Sequence, residues 1–135
     1  MKRQGACLMV TETILCINDR IRFMSAFRNY FEERGYQVLA APTGIEGIRL
    51  LKRVNVDAVV LDYEASEMSG AAALQVIKGV SPQTQVLILS GGKSKISPDV
   101  RHAATAVLMK VFSASELMRN VERIIKKELP KDSSN

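Results

Sequence analysis

Asp57-Ala58-Val59-Val60-Leu61-Asp62-Tyr63-Glu64 is the stretch on which the fold turns. Its apolar run, with adjacent valines, is too short for a self-standing helix and suits a strand buried on both faces, as strands of a parallel sheet are. The run ends in a carboxylate. In open α/β sheets the carboxyl ends of the strands border the ligand crevice, so Asp62 has two readings, a solvated acid at a strand end or a chemical group in that crevice. The rest of the chain decides between them.

Outward from this stretch the chain alternates between two periods. Thr13 to Asn18 reads as a short apolar strand, after which Asp19 is positioned to cap a helix carrying Phe23, Met24, Phe27, Tyr30 and Phe31 at three- and four-residue spacing. Gly35 ends that helix. Tyr36 to Ala41 reads as a second strand, and Pro42-Thr43-Gly44 leads into a helix with Ile45, Ile48 and Leu51 on one face, running to about Arg53. Beyond the opening stretch, a polar loop from Glu64 to Ser69 precedes a helix through Ala73, Leu74 and Ile77 to Gly79. Val86 to Leu89 is a fourth strand ending at Ser90-Gly91-Gly92. Ser97-Pro98-Asp99 signals a short or frayed helix. Ala106 to Met109 is a fifth strand ending at Lys110, and Ser113 caps a last helix with Leu117, Val121, Ile124 and Ile125 facing inward. Five strand–helix repeats predict an α/β fold: a five-stranded parallel sheet, doubly wound, with helices on both faces and right-handed crossovers. The domain is expected over 13–129, with a flexible N-terminal segment at 1–12 and a tail at 130–135.

Composition narrows the class. The chain has 135 residues, the usual size of one domain, and is 47% hydrophobic, 24% charged and only 5% aromatic. Cys7 and Cys16 are too far apart for a CxxC motif, and Cys16 sits inside an apolar run as a small hydrophobe, which fits a reduced, cytoplasmic setting. No stretch reaches membrane-spanning length, and the opening residues lack the apolar run of a signal peptide. The net charge of +5 is spread along the helices, with a modest gathering at Arg119, Arg123, Lys126, Lys127 and Lys131. No aromatic residues are interleaved there for base stacking, so a solvated helix face is expected rather than direct nucleic-acid binding.

The polar residues at strand ends then fall into a set. Asn18-Asp19, Asp62, Ser90 and Lys110 follow the first, third, fourth and fifth strands, which places them all at one edge of one sheet. Two acids in one crevice raise each other's pKa unless a cation intervenes, so Asp19 with Asp62 calls for a lysine partner or a divalent ion. Lys110 supplies the first. Mg2+ suits the second, because it is commonly held by one or two carboxylates with waters and phosphate oxygens.

On these residues the chain resembles a response-regulator receiver domain from about Thr13 to Leu129. The motifs that carry the likeness are Ile14-Leu15-Cys16-Ile17-Asn18-Asp19, then Val60-Leu61-Asp62-Tyr63 followed by Met68-Ser69-Gly70, then Leu87-Ile88-Leu89-Ser90-Gly91, then Leu108-Met109-Lys110-Val111-Phe112. The resemblance implies a flavodoxin-like three-layer sandwich with strand order 2-1-3-4-5, and it implies two-component signalling, in which Asp62 takes a phosphoryl group from a phosphohistidine on a histidine kinase or phosphotransfer protein. It implies Mg2+ held by Asp19, Asp62 and the Glu64 carbonyl, with Asn18 orienting a water. Lys110 and Ser90 would contact phosphoryl oxygens, and the added charge would draw them inward to switch a surface around the fourth helix, fifth strand and fifth helix. A downstream effector or output domain, carried outside this chain, would read that surface, with homodimerisation as a further option. Beyond its own phosphorylation and dephosphorylation the chain is not expected to be an enzyme.

The sequence departs from the family pattern at four places. Val107 stands where an aromatic rotor is usual, Val111 where a cis proline usually follows the lysine, Ser66 where proline is usual, and Asn18 where the first of two acids is usual. A cis bond before a non-proline costs about 3–4 kcal/mol, so a trans peptide at Val111 is expected. The departures give a second reading, a degenerate receiver that binds partners constitutively. A third, a nucleotide- or small-molecule-binding domain, lacks any GxGxxG or Walker glycine pattern after a strand. His102 has no companion for a metal site or catalytic pair and reads as a surface residue.

Overall fold

The computed structural model describes residues 12–64, 68–92, 96–109 and 113–126. The expectations for residues 1–11, Ser66, Lys110, Val111, Lys127, Lys131 and the tail lie outside them. Five strands, β1 (Thr13–Ile17), β2 (Gln37–Ala41), β3 (Ala58–Asp62), β4 (Gln85–Ser90) and β5 (Ala106–Met109), form one sheet, all neighbours parallel, in the order β2-β1-β3-β4-β5. They alternate with α1 (Ile21–Glu33), α2 (Gly44–Leu51), α3 (Gly70–Val80), α4 (Pro98–Ala103) and α5 (Ala114–Ile125). This is the architecture expected from the sequence.

Side chains alternate across the pleat, so each strand feeds two cores. Leu15, Ile17, Val59, Leu61, Val86 and Ile88 face one layer with Ile48 and Leu51 of α2, Leu74 and Ile77 of α3 and Val100 of α4. Ile14, Cys16, Val38, Val60, Leu87 and Leu89 face the other, with Phe27 and Phe31 of α1 and Leu117, Val121 and Ile124 of α5. Ala58 to Val60 are fully buried, as the reading of the opening stretch requires. Phe27 and Phe31 lie 4.8 Å apart between centroids, and Tyr36 meets Phe31 edge-on at 5.5 Å, so aromatic packing closes the α1–β2 corner.

Local signals set the helix ends. Gly35 turns the chain after α1 with φ 93°, a conformation costly for a side chain with Cβ. The hydroxyls of Thr43, Ser69 and Ser97 accept the amides of Glu46, Ala72 and Val100 in the first turns of α2, α3 and α4, and Ser113 with Glu116 forms a reciprocal capping box on α5.

Three expectations fail here. Asp19 does not cap α1: the N-cap position is Arg20 with no side-chain cap, and the Asn18 Oδ1 instead accepts the Arg20 amide at 2.8 Å. Ile45 is exposed at 41% rather than packed inward, and α2 stops at Leu51 instead of about Arg53. The inward face of α2 is made of Gly44, Gly47, Ile48 and Leu51; a Cβ on Gly47 would lie 2.5 Å from Ile17 Cδ1, so a missing side chain lets the helix approach β1. No helix of the described residues is long and apolar enough to cross a membrane.

Candidate functional site

The carboxyl ends of β1, β3 and β4 carry the polar residues that the sequence placed there. Asn18 follows β1 and is buried; its amide donates to Ala41 O at 3.0 Å, tying the end of β1 to that of β2. Asp19 and Arg20 are exposed at the rim. Asp62 is the last residue of β3, paired in register with Leu89 of β4, so Ser90 lies one step further along the neighbouring strand. The next amide, that of Tyr63, continues the ladder to Leu89 O at 2.8 Å. Strand pairing thus brings Asp62 and Ser90 to the same edge of the sheet, with Ser90 diagonal to Asp62 rather than directly opposite it.

Asp62 is half-buried, and burial is the main cause that raises its carboxyl above the usual carboxylate range. The charges of Asp19 and Glu64 push in the same direction. Two effects oppose them, the Glu64 amide donating to Asp62 Oδ1 at 3.2 Å and the charge of Arg20. An acid that the fold makes uncomfortable as an anion, with other acids around it, is a seat for a cation. Among the described residues no group of three or more His, Cys, Asp or Glu side chains is set to hold a metal by itself. The set present, two carboxylates and a loop carbonyl, fits the sparse protein ligation of Mg2+, which keeps several waters, and fits poorly a metal that needs a full cage of side chains.

Across from Asp62 the end of β4 is tightly organised. Ser90 is 1% exposed, and its hydroxyl donates to Glu64 Oε2 at 2.9 Å while accepting the Gly92 amide at 3.1 Å. Gly91 donates its amide to Glu64 Oε1 at 2.8 Å. Gly92 takes φ 89°, which lets the chain fold back over Ser90. Below this, Gly70 at the start of α3 lies against Tyr63: a Cβ there would come 2.2 Å from the Tyr63 ring and 2.7 Å from its carbonyl oxygen.

The structure thus brings Asn18, Asp19, Asp62, Glu64 and Ser90 to one edge. Lys110 lies outside the described residues; β5 ends at Met109, in register with Ser90. Val107 is half-buried, pairs with Ile88 and packs with the α2–α4 layer, with no polar tip to turn. His102 is exposed on α4, as expected. Two features escaped the sequence reading. Arg20 acts on Asp62, a signal available only as a basic residue next to the acid of β1. The Glu64 side chain reaches Ser90, which no local spacing announces because the partners are 26 residues apart.

The sequence pattern of the response regulator receiver domain matches residues 14–122, most of the chain. The chain belongs to the response regulator receiver family. It is 33% identical over 100 residues to the transcriptional regulatory protein GlrR of Escherichia coli, covering 74% of this chain and 21% of GlrR. It is 25% identical over 128 residues to sporulation initiation phosphotransferase F of Bacillus subtilis, covering 93% of this chain and 100% of that protein. A crystal structure of the response regulator TrrA from Thermotoga maritima, in complex with Mg2+ and BeF, superposes with a TM-score of 0.75 at 24% identity, over 84% of this chain and 99% of that one. The receiver is a small part of some relatives: the chain spans only 9% of the autoinducer sensor kinase LuxN of Vibrio harveyi. As a receiver, the chain is a module of two-component signal transduction.

Proposed function

We propose that this receiver accepts a phosphoryl group on Asp62 from a phosphohistidine of a kinase or phosphotransfer protein. The observation that carries the reading is Asp62 itself, a half-buried acid at the carboxyl end of β3 with Asp19 and Ser90 brought beside it from other strands. An Asp62 oxygen attacks phosphorus in line. The P–O bond forms as the P–N bond to the imidazole breaks, and the imidazole leaves with the electron pair. Asp62 must be ionised to attack, and Arg20 together with the Glu64 amide favours that form. Asp19, Asp62 and the Glu64 carbonyl would hold Mg2+, with Asn18 placed toward a bound water. Mg2+, when bound, neutralises charge between the acids and the incoming phosphoryl oxygens. The Ser90 hydroxyl and the Gly91 amide donate to the transferred group, and Lys110 adds a point charge.

The likeness to a phosphotransferase and to a regulator bound to Mg2+ and BeF supports this chemistry. The output passes to a partner protein or a linked output domain through the α4–β5–α5 face. With Val107 in place of an aromatic rotor, that face has no swinging ring to report the state of Ser90. Beryllofluoride titrated into the protein with Mg2+ tests the assignment. Saturable binding that needs Mg2+ and disappears in Asp62→Asn is expected. No binding with Mg2+ in large excess would mean a receiver that works as a constitutive binding module.

A further inference from the structure

Glu64 ties together the two sides of the site. Its amide donates to Asp62 Oδ1 at 3.2 Å, and its carboxylate accepts from Ser90 Oγ at 2.9 Å and from the Gly91 amide at 2.8 Å. Each of those donors carries a single proton. A carboxylate offers two outward oxygens and negative charge, which is the chemistry a phosphoryl group on Asp62 would present to the same two donors. Ser90 is fully committed in this arrangement, since its oxygen also accepts the Gly92 amide at 3.1 Å, and the residue is 1% exposed.

We propose that the Glu64 carboxylate is a tethered stand-in for the phosphoryl group, seated on the Ser90 hydroxyl and the Gly91 amide while Asp62 is unmodified. The inference rests on the phosphoacceptor reading of Asp62 and adds a positioning residue to it. Two consequences follow. An incoming phosphoryl group must displace Glu64 from both donors, so the side chain lowers the affinity of the site for phosphoryl. Ser90 is drawn in before phosphorylation, so the loop after β4 is held in place by one anion or the other.

The test is titration of the full chain with beryllofluoride and Mg2+, followed by calorimetry and by amide NMR, in wild type, Glu64→Ala, Glu64→Gln and Asp62→Asn. Losing the competitor should tighten beryllofluoride binding roughly tenfold in Glu64→Ala, from the one or two charge-assisted bonds no longer displaced, and by less in Glu64→Gln. Before any ligand is added, the Gly91 amide proton should move upfield in Glu64→Ala, and beryllofluoride should return it toward its wild-type position. A gain of affinity is not what structural damage produces. Binding equal to or weaker than wild type in Glu64→Ala, or an unmoved Gly91 amide, overturns the stand-in while leaving Asp62 as the acceptor. Absence of binding in wild type and both Glu64 variants overturns the acceptor assignment and the stand-in together.

Discussion

Replacing Gly70 with alanine puts a methyl group where the structure has no room for one. The new Cβ would lie 2.2 Å from Tyr63 Cδ1, 2.7 Å from Cγ and 2.7 Å from the Tyr63 carbonyl oxygen. Ordinary carbon contacts begin near ~3.5 Å, so the overlap is about an ångström. The ring can turn, but the carbonyl is backbone and belongs to the peptide whose amide end is Glu64 N, the donor to Asp62 Oδ1. Relieving the clash therefore moves the loop that frames the acceptor. Overpacking of this kind costs about 1–3 kcal/mol, and the better helix propensity of alanine returns at most ~1 kcal/mol at the start of α3. The net expectation is a loss of about 1–2 kcal/mol, with beryllofluoride affinity reduced roughly tenfold through the disturbed Glu64 amide. Gly79 of the same helix supplies the control: it is exposed, nothing lies within 4 Å of its would-be Cβ, and Gly79→Ala should stabilise by about 0.5–1 kcal/mol. Urea unfolding followed by far-ultraviolet circular dichroism measures both. The reasoning is refuted if Gly70→Ala unfolds at the same or higher urea concentration than wild type, or if the two substitutions shift the midpoint in the same direction.

Three further outcomes are expected. Asp62 has a folded-state pKa above its unfolded value, so the folded protein holds that proton more tightly, and stability falls as pH rises from the ordinary carboxylate value near 3.8 through the raised one. Without divalent ions, Asp62→Asn should then be the more stable protein at neutral pH, by no more than about 1 kcal/mol because water screens a half-exposed group. Its advantage should vanish below the unfolded value, and identical denaturation curves at neutral pH would count against the electrostatic account. Ser113→Ala removes one half of the capping box on α5 and should cost about 0.5–2 kcal/mol, read as a lowered thermal midpoint with no change in beryllofluoride affinity. Phe31→Ala empties a fully buried ring position between α1 and β2 and should cost about 3–5 kcal/mol; a loss under 1 kcal/mol by the same unfolding assay would mean that the corner is not packed as described.

The sequence disclosed what periodicity and strand ends encode. Val59, Val60 and Leu61 had to be buried on both faces, and Phe27, Phe31, Leu74, Ile77, Val121 and Ile124 fell on the inward faces their spacing indicated. Asp62 and Ser90 could be set at one edge because each closes an apolar run, and parallel pairing aligns such ends. Features that depend on close approach between elements were not legible. Ile45 looked like core, yet α2 turns Gly47 toward Ile17, and an absent side chain leaves no hydrophobic signal. Asp19 looked like a cap, yet Asn18 takes the Arg20 amide, a choice between adjacent polar residues that spacing does not make. The seat of the Glu64 carboxylate on Ser90 and Gly91 belongs to the same class, since it joins two loops that only the sheet order brings together.

The most direct test of the central claim is phosphoryl transfer from a phosphohistidine donor to the protein in the presence of Mg2+, with the modified residue located by mass spectrometry of proteolytic fragments. The account predicts one base-labile phosphoryl group per chain, on Asp62, not formed when Mg2+ is chelated beforehand and absent from Asp62→Asn. Transfer that is undiminished in Asp62→Asn, or none in wild type with Mg2+ in excess, would contradict it.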